Sequence, residues 1–491
     1  MAFSVRRSLA WMTLAQGGLF LLQFGASVIV ARLLTPYEMG VFAVASAIVG
    51  LLSTLRSLGL SGYIIREREL TSALVASVFT INAAIATIVS VLILGLSALG
   101  AAFLSETGVQ RVLVVMAILP LLGIFEFLPA AGFERTGNFR VIALISLART
   151  LVSNVVMLVF AFSGFSYMSL AYGQLAGAVT AVAAFNIIGR RHVSLRLGLY
   201  RCRDILRYGL QMLAISGVSV MAGRLADLLL GRLQGLDALG LYSRASGLNS
   251  LLWENVHIVI SRIVFVDFSE KRRQGKSLRE AYLRIMELVS GLLWPAFAGL
   301  AVIAGPLVRL LYGEAWVGAA LPLSLLSISA MILVSVTMTW EVFVVCQETA
   351  RQTRFEFIRA GAGLALFAVG CLVSLTGAAG ARIGEALLSV GIYRPHLERM
   401  TDTTLRDAIP IYLRSATLTV LAALPAALVM IFYGWSFTAP PLAVLISMGI
   451  GVVAWGVGLR ALRHPLFEEA QLLVGRLRTR RSGIQDAKQS L

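Results

Sequence analysis

Five arginines interrupt stretches that are otherwise apolar: Arg56, Arg149, Arg224, Arg244 and Arg262. An ionisable side chain in such surroundings is costly, and where it occurs it faces a partner or a water-filled cavity. The titratable groups in the same kind of stretch are Asp227, Glu254, His257 and Glu341, so the balance is positive. A planar guanidinium meets two phosphate oxygens at once. Several of them around a wet cavity suit an anionic head group such as a diphosphate. The binding candidates on this chemistry are Arg149, Arg224, Arg244 and Arg56. Asp227, Glu254, His257 and Glu341 are the candidates for exchanging a coupling ion, because histidine titrates near physiological pH and carboxylates carry protons or sodium.

Each charge also has a plainer role to weigh. Arg56 and Arg262 lie near the ends of their stretches, where a long side chain snorkels to the interface. Arg224 and Asp227 are three apart on one helical face and can neutralise one another. Glu254 and His257 share a face as well, and an interhelical hydrogen bond would account for them. Arg149 is about a third of the way into its stretch, which favours a cavity. Arg32 and Arg232 match in position, and that repetition favours anchoring.

The elements that must position these groups follow from composition. The 491 residues are 58% hydrophobic and 14% charged, whereas soluble domains hold about 45–50% apolar and about 25% charged residues. A span needs about 20 apolar residues. The apolar runs predict an all-α polytopic membrane protein with about fourteen transmembrane helices: 9–33, 39–60, 74–98, 112–131, 141–163, 167–189, 208–230, 239–265, 285–309, 318–344, 358–376, 379–393, 410–433 and 440–460. The twelfth is short and holds Arg382 and Glu385. The first is too long for the apolar core of a secretory signal.

Formal net charge is +17, but the basic residues gather in alternate short loops. One set holds Arg66/Arg68, Arg135/Arg140, the run 190–207, 271–284 and the tail, while loops such as Thr35-Pro36-Tyr37 and Ser163-Gly164-Phe165 are nearly bare. The positive-inside rule then puts both termini in the cytoplasm, and membrane lipid rather than nucleic acid is the partner implied. Cys202, Cys346 and Cys371 have no metal-ligand spacing.

The chain also repeats itself. Ala31-Arg32-Leu33-Leu34-Thr35-Pro36-Tyr37-Glu38-Met39-Gly40-Val41-Phe42 returns two hundred residues later as Gly231-Arg232-Leu233-Gln234-Gly235-Leu236-Asp237-Ala238-Leu239-Gly240-Leu241-Tyr242. Six helices separate the copies, so they run in the same direction, a parallel repeat of the kind found in transporters. The expected organisation is a six-helix lobe at 1–190, a basic linker at 191–207, a second lobe at 208–394, two added helices at 395–462 and a charged amphipathic or disordered tail at 463–491. The repeat axis would focus the arginines between the lobes. Pro120, Pro129, Pro295, Pro322 and Pro425 lie in or beside spans, where proline is ordinary.

The chain carries neither a GxxxxGK[ST] loop nor a zinc motif nor a nucleophile elbow. A non-enzyme without catalytic residues or cofactor is expected, and any transport draws on an ion gradient or runs downhill. The segments Ala31 to Phe42, Arg56-Ser57-Leu58-Gly59-Leu60, Arg224 to Gly235 with Ala238 to Ala245, and Trp294-Pro295 with Ala304 to Trp316 resemble the polysaccharide transporter family of O-antigen and exopolysaccharide flippases. This resemblance covers about two thirds of the chain. It implies a two-lobed, alternating-access flippase for undecaprenyl-diphosphate-linked oligosaccharides, with a cationic cavity and an ion gradient as its drive. A polymerase and a chain-length regulator would be its protein partners. One departure is that Phe265-Val266-Asp267-Phe268-Ser269 lacks the family's proline before the serine, which should alter the helix end. A lipid II flippase shares the diphosphate. A multidrug extruder would want an anionic cavity, and a membrane polymerase or ligase would want a large external loop.

Overall fold

In lipid the backbone must satisfy its own hydrogen bonds, so long apolar segments have helix as their one local solution. The protein, seen here as a computed structural model, follows that rule. Residues 18, 21–56, 59–67, 69–104, 106–190, 196–469 and 471 are described. The start of the first expected span, part of the linker, the side chain of Arg262 and most of the tail lie outside the described residues. Among the described residues there is helix and no strand.

The chain divides into two compact units, Met1–Ser243 and Arg244–Leu491. The first contains α1 (Leu21–Leu33), α2 (Pro36–Ser53) with a 3-10 turn Thr54–Arg56, α3 (Leu60–Arg66), α4 (Ser72–Leu104), α5 (Thr107–Met116), α6 (Ile118–Arg135), α7 (Phe139–Phe162), α8 (Met168–Ile188) and α9 (Cys202–Gln234). Helix α10 (Leu236–Arg273) crosses the division. The second holds α11 (Arg279–Val302), α12 (Ala304–Tyr312), α13 (Ala320–Val334), α14 (Thr339–Val345), α15 (Thr349–Val373), α16 (Leu375–Thr401), α17 (Leu405–Phe432) and α18 (Pro441–Ala461).

Ten spans among the described residues are long and apolar enough to cross a membrane. Helices α9, α10 and α16 are 33, 38 and 27 residues long and carry more charge. In α16 the charges are matched inside the protein. Arg382 donates to Glu385 at 2.6 Å, and Arg359 of α15 donates to the same carboxylate at 2.6 Å. Tyr393 donates to Glu356 at 2.6 Å, and Glu356 also pairs with Arg359. The short twelfth span expected at 379–393 is therefore part of a continuous helix, because its partners neutralise what hydropathy counted against it.

Several long apolar runs are broken where the sequence pattern was continuous. The run expected at 39–60 ends as helix at Ser53, turns through Thr54–Arg56, and restarts after Gly59 at φ +60°. The run at 318–344 breaks between α13 and α14, where Met338 takes φ +58°. The run at 285–309 divides into α11 and α12. Conversely, α10 continues without a stop through Asp267 to Arg273. Proline in a helix interior removes a hydrogen bond and clashes with the preceding turn, so its absence before Ser269 lets the helix run on.

The internal repeat has a physical counterpart. Residues 31–40 and 231–240 share the same burial class at eight of ten positions. A Cβ on Gly40 would overlap the carbonyl oxygen of Leu236, and a Cβ on Gly240 would overlap that of Pro36. Pro36 and Leu236, like Gly40 and Gly240, are equivalent positions of the repeat, so the two copies touch reciprocally. Thr35 and Glu38 close a capping box at the start of α2, with Pro36 in the first turn.

The tail does not begin as a loose appendage. His464 is fully buried, its ring packed where Gly291 has no side chain, and Arg284 donates to Glu469 at 2.8 Å. Burial pushes the His464 imidazole below its ordinary range, with Arg414 acting in the same direction and Glu287 against it.

Candidate functional site

Three guanidiniums come together in the first unit. Arg56 comes from the 3-10 turn after α2, Arg149 from α7 and Arg224 from α9, which packs against α2. They line one cavity of about 650 Å³ together with Ser53, Glu126 and Gln174. The break at the end of α2 and two glycines account for their placement. A Cβ on Gly123 of α6 would collide with the Arg56 guanidinium. A Cβ on Gly50 of α2 would come within 2.7 Å of Arg224 Nε. The bare helix faces are thus the seats on which the two heads lie.

The cations differ in what already holds them. Arg56 Nε is buried with no hydrogen-bond partner, an uncommon state for a charged donor. Arg149 Nη1 donates to Glu126 at 3.3 Å. Arg224 Nη1 stands 3.8 Å from Asp227 Oδ2, one turn along α9. The pairing foreseen for Arg224 and Asp227 is therefore present, and it does not remove Arg224 from the cavity lining.

Arg244 is not among the lining residues. It sits in the second unit with its guanidinium 5.9 Å from the centroid of Tyr312 and 5.8 Å from that of Trp316, a cation–π placement. Tyr312 and Trp316 belong to the segment Ala304 to Trp316, one of those that carry the family resemblance. Glu126 was passed over in the sequence, although a lone carboxylate in Leu121-Leu122-Gly123-Ile124-Phe125-Glu126-Phe127 meets the same criterion that selected the arginines.

Of the ion-coupling candidates, His257 and Glu341 come together. They line a second cavity of about 420 Å³ in the second unit, with Trp253, Asn249, Thr337 and Tyr393. Glu341 is 1% exposed, accepts a hydrogen bond from Ser261, and lies 4.0 Å from His257 Nε2. The break between α13 and α14 carries Thr337 and Met338 to this place. Glu254 is exposed and is not among the lining residues. A third cavity of about 380 Å³ is apolar, lined by Pro295, Gly299, Ile303, Ala426, Gly451 and Trp455 among others.

Comparison with known proteins adds to this geometry. The family described as polysaccharide biosynthesis protein matches residues 29–321. The chain is 25% identical over 332 residues to the succinoglycan biosynthesis transport protein ExoT of Rhizobium meliloti, covering 68% of this chain and 67% of that one. It is 22% identical over 295 residues to the lipopolysaccharide biosynthesis protein WzxC of Escherichia coli, covering 59% of each. Among solved structures it is similar to a lipid II flippase MurJ in an inward closed conformation, with a TM-score of 0.76, 13% identity, and coverage of 93% of this chain and 99% of that one. An inward-facing multidrug resistance transporter of the MATE family aligns with a TM-score of 0.54 at 13% identity, over 80% of this chain and 96% of that one. At such identities the structural likeness speaks for the fold.

Proposed function

The chain belongs to the polysaccharide biosynthesis protein family, and from that premise we propose that it is a flippase for lipid-linked oligosaccharide repeat units. The observation that carries the proposal is the convergence of Arg56, Arg149 and Arg224 on one cavity. A diphosphate supplies what that arrangement is short of: charge-assisted acceptors in number, matched to planar donors. Undecaprenyl diphosphate is the carrier whose head group has this chemistry.

Movement would be alternating access, driven by proton or sodium exchange at Glu341 beside His257, with no organic cofactor. Both termini would be cytoplasmic, and a polymerase and a chain-length regulator would receive the product. The relatives' names, one a transport protein of succinoglycan biosynthesis and one a lipopolysaccharide biosynthesis protein, support this class of cargo.

The test is translocation of a polyprenyl-diphosphate-linked oligosaccharide in proteoliposomes, read by access of an impermeant lectin. Arg149→Ala and Arg224→Ala should each slow transport by about tenfold or more, the scale of a lost charged hydrogen bond, with protein level and melting temperature preserved. Wild-type rates in both variants would remove the site assignment.

A further inference from the structure

Within the cavity lined by the three arginines, one carboxylate is out of keeping with an anion site. Glu126 lies among the arginines, 3.3 Å from Arg149 Nη1 and lining the same cavity as Arg56. It stands three residues after Gly123, so one face of α6 both seats the Arg56 head and brings a negative charge beside it. The arginines would bind an anion more tightly without it. Resting on the reading of this cavity as a diphosphate site, we propose that Glu126 is its specificity-determining residue. It occupies Arg149 until a diphosphate displaces it, and thereby keeps out lipids that carry a single phosphate charge.

The argument is one of competing charge. A membrane contains anionic phospholipids in quantity, and three guanidiniums around an open cavity would take any of them. A monoanion that displaces Glu126 from Arg149 exchanges one negative charge for another and leaves the carboxylate beside it as a like charge. A diphosphate brings at least two charges and more acceptor oxygens. It can engage Arg149 and Arg56, which line the same cavity, together and still gain after the exchange. The pair is suited to such displacement because its side chains are 48% and 24% exposed, and ion pairs this open are weak. Specificity obtained by placing a repulsive group against the wrong ligand is a general device.

Binding of farnesyl diphosphate and of dihexanoyl phosphatidylglycerol, a phosphodiester with a single charge, to the purified full-length protein, measured by calorimetry, tests the assignment. The wild type should favour the diphosphate. Glu126→Gln, nearly isosteric, should tighten the phosphatidylglycerol by roughly five- to tenfold, the ordinary scale of a coupling between sites, and move the diphosphate less, so the preference collapses. Glu126→Asp, which keeps the charge, should restore it. An unchanged ratio in Glu126→Gln, or weaker binding of both ligands, would overturn the proposal while leaving the cavity as an anion site. Failure of the wild type to bind either ligand would overturn the cavity reading and this inference with it.

Discussion

Arg56 and Arg244 are both arginines in apolar surroundings, yet neighbouring side chains have made them different objects. Arg56 lies on the bare face at Gly123 and lines a cavity, whereas the Arg244 head stands against Tyr312 and Trp316. The cost of an intramembrane charge identified both from sequence. Which one lines a cavity depends on what the next helix presents, a glycine or an aromatic ring. Glu341 illustrates the same point for acids. At 1% exposure, it has Ser261 donating to it and His257 4.0 Å away, whereas Glu254 on the same stretch as His257 is exposed. Glu341→Gln should abolish the response of transport to an imposed pH gradient while downhill movement continues. This is measurable in proteoliposomes with the gradient reversed, and an undiminished response would move coupling to another group.

Among the elements, the helices that depart most from their hydropathic outlines are those that line the polar cavities or pack tightly. A hydropathy window sums over a turn or more, so it cannot register a three-residue 3-10 turn at Thr54–Arg56 or one left-handed residue at Met338. Nor can it see Arg359 of α15 matching Glu385 of α16. The reciprocal contact at Gly40 and Gly240 is the strictest packing in the repeat, because the obstructing atoms are backbone carbonyl oxygens that cannot rotate away. Gly40→Ala or Gly240→Ala should destabilise the protein by roughly 1–3 kcal/mol or more, the cost of overpacking, seen as a lower melting temperature in detergent. Gly247→Ala, with nothing within 4 Å of its Cβ, should be neutral. Equal tolerance of all three would mean that α2 and α10 can separate without loss.

For the whole molecule, net charge of +17 distributed into alternate loops is a statement about direction in the membrane. Lys276 lies in an exposed turn after α10 among basic residues, and Ser163 is exposed after α7 in a loop nearly bare of them. With Lys276→Cys and Ser163→Cys made singly, an impermeant thiol reagent should label position 276 only from the cytoplasmic side and position 163 only from outside. The opposite pattern would invert the proposed topology, and with it the direction assigned to transport.

Class, helical architecture and repeat were legible in the chain alone, for a physical reason. Transfer into lipid is a sum over consecutive residues, and duplication leaves identical spacing, as at Gly40 and Gly240. The company each charge keeps was not legible in this way. Arg56, Arg149 and Arg224 meet because a turn, α7 and α9, separated by up to some 170 residues of chain, border one cavity. Whether a guanidinium finds a cavity, a carboxylate or an aromatic ring is set by helix rotation and by which small residues let the backbones close. Only tertiary packing decides that, because it depends on contacts between segments that no local sum connects.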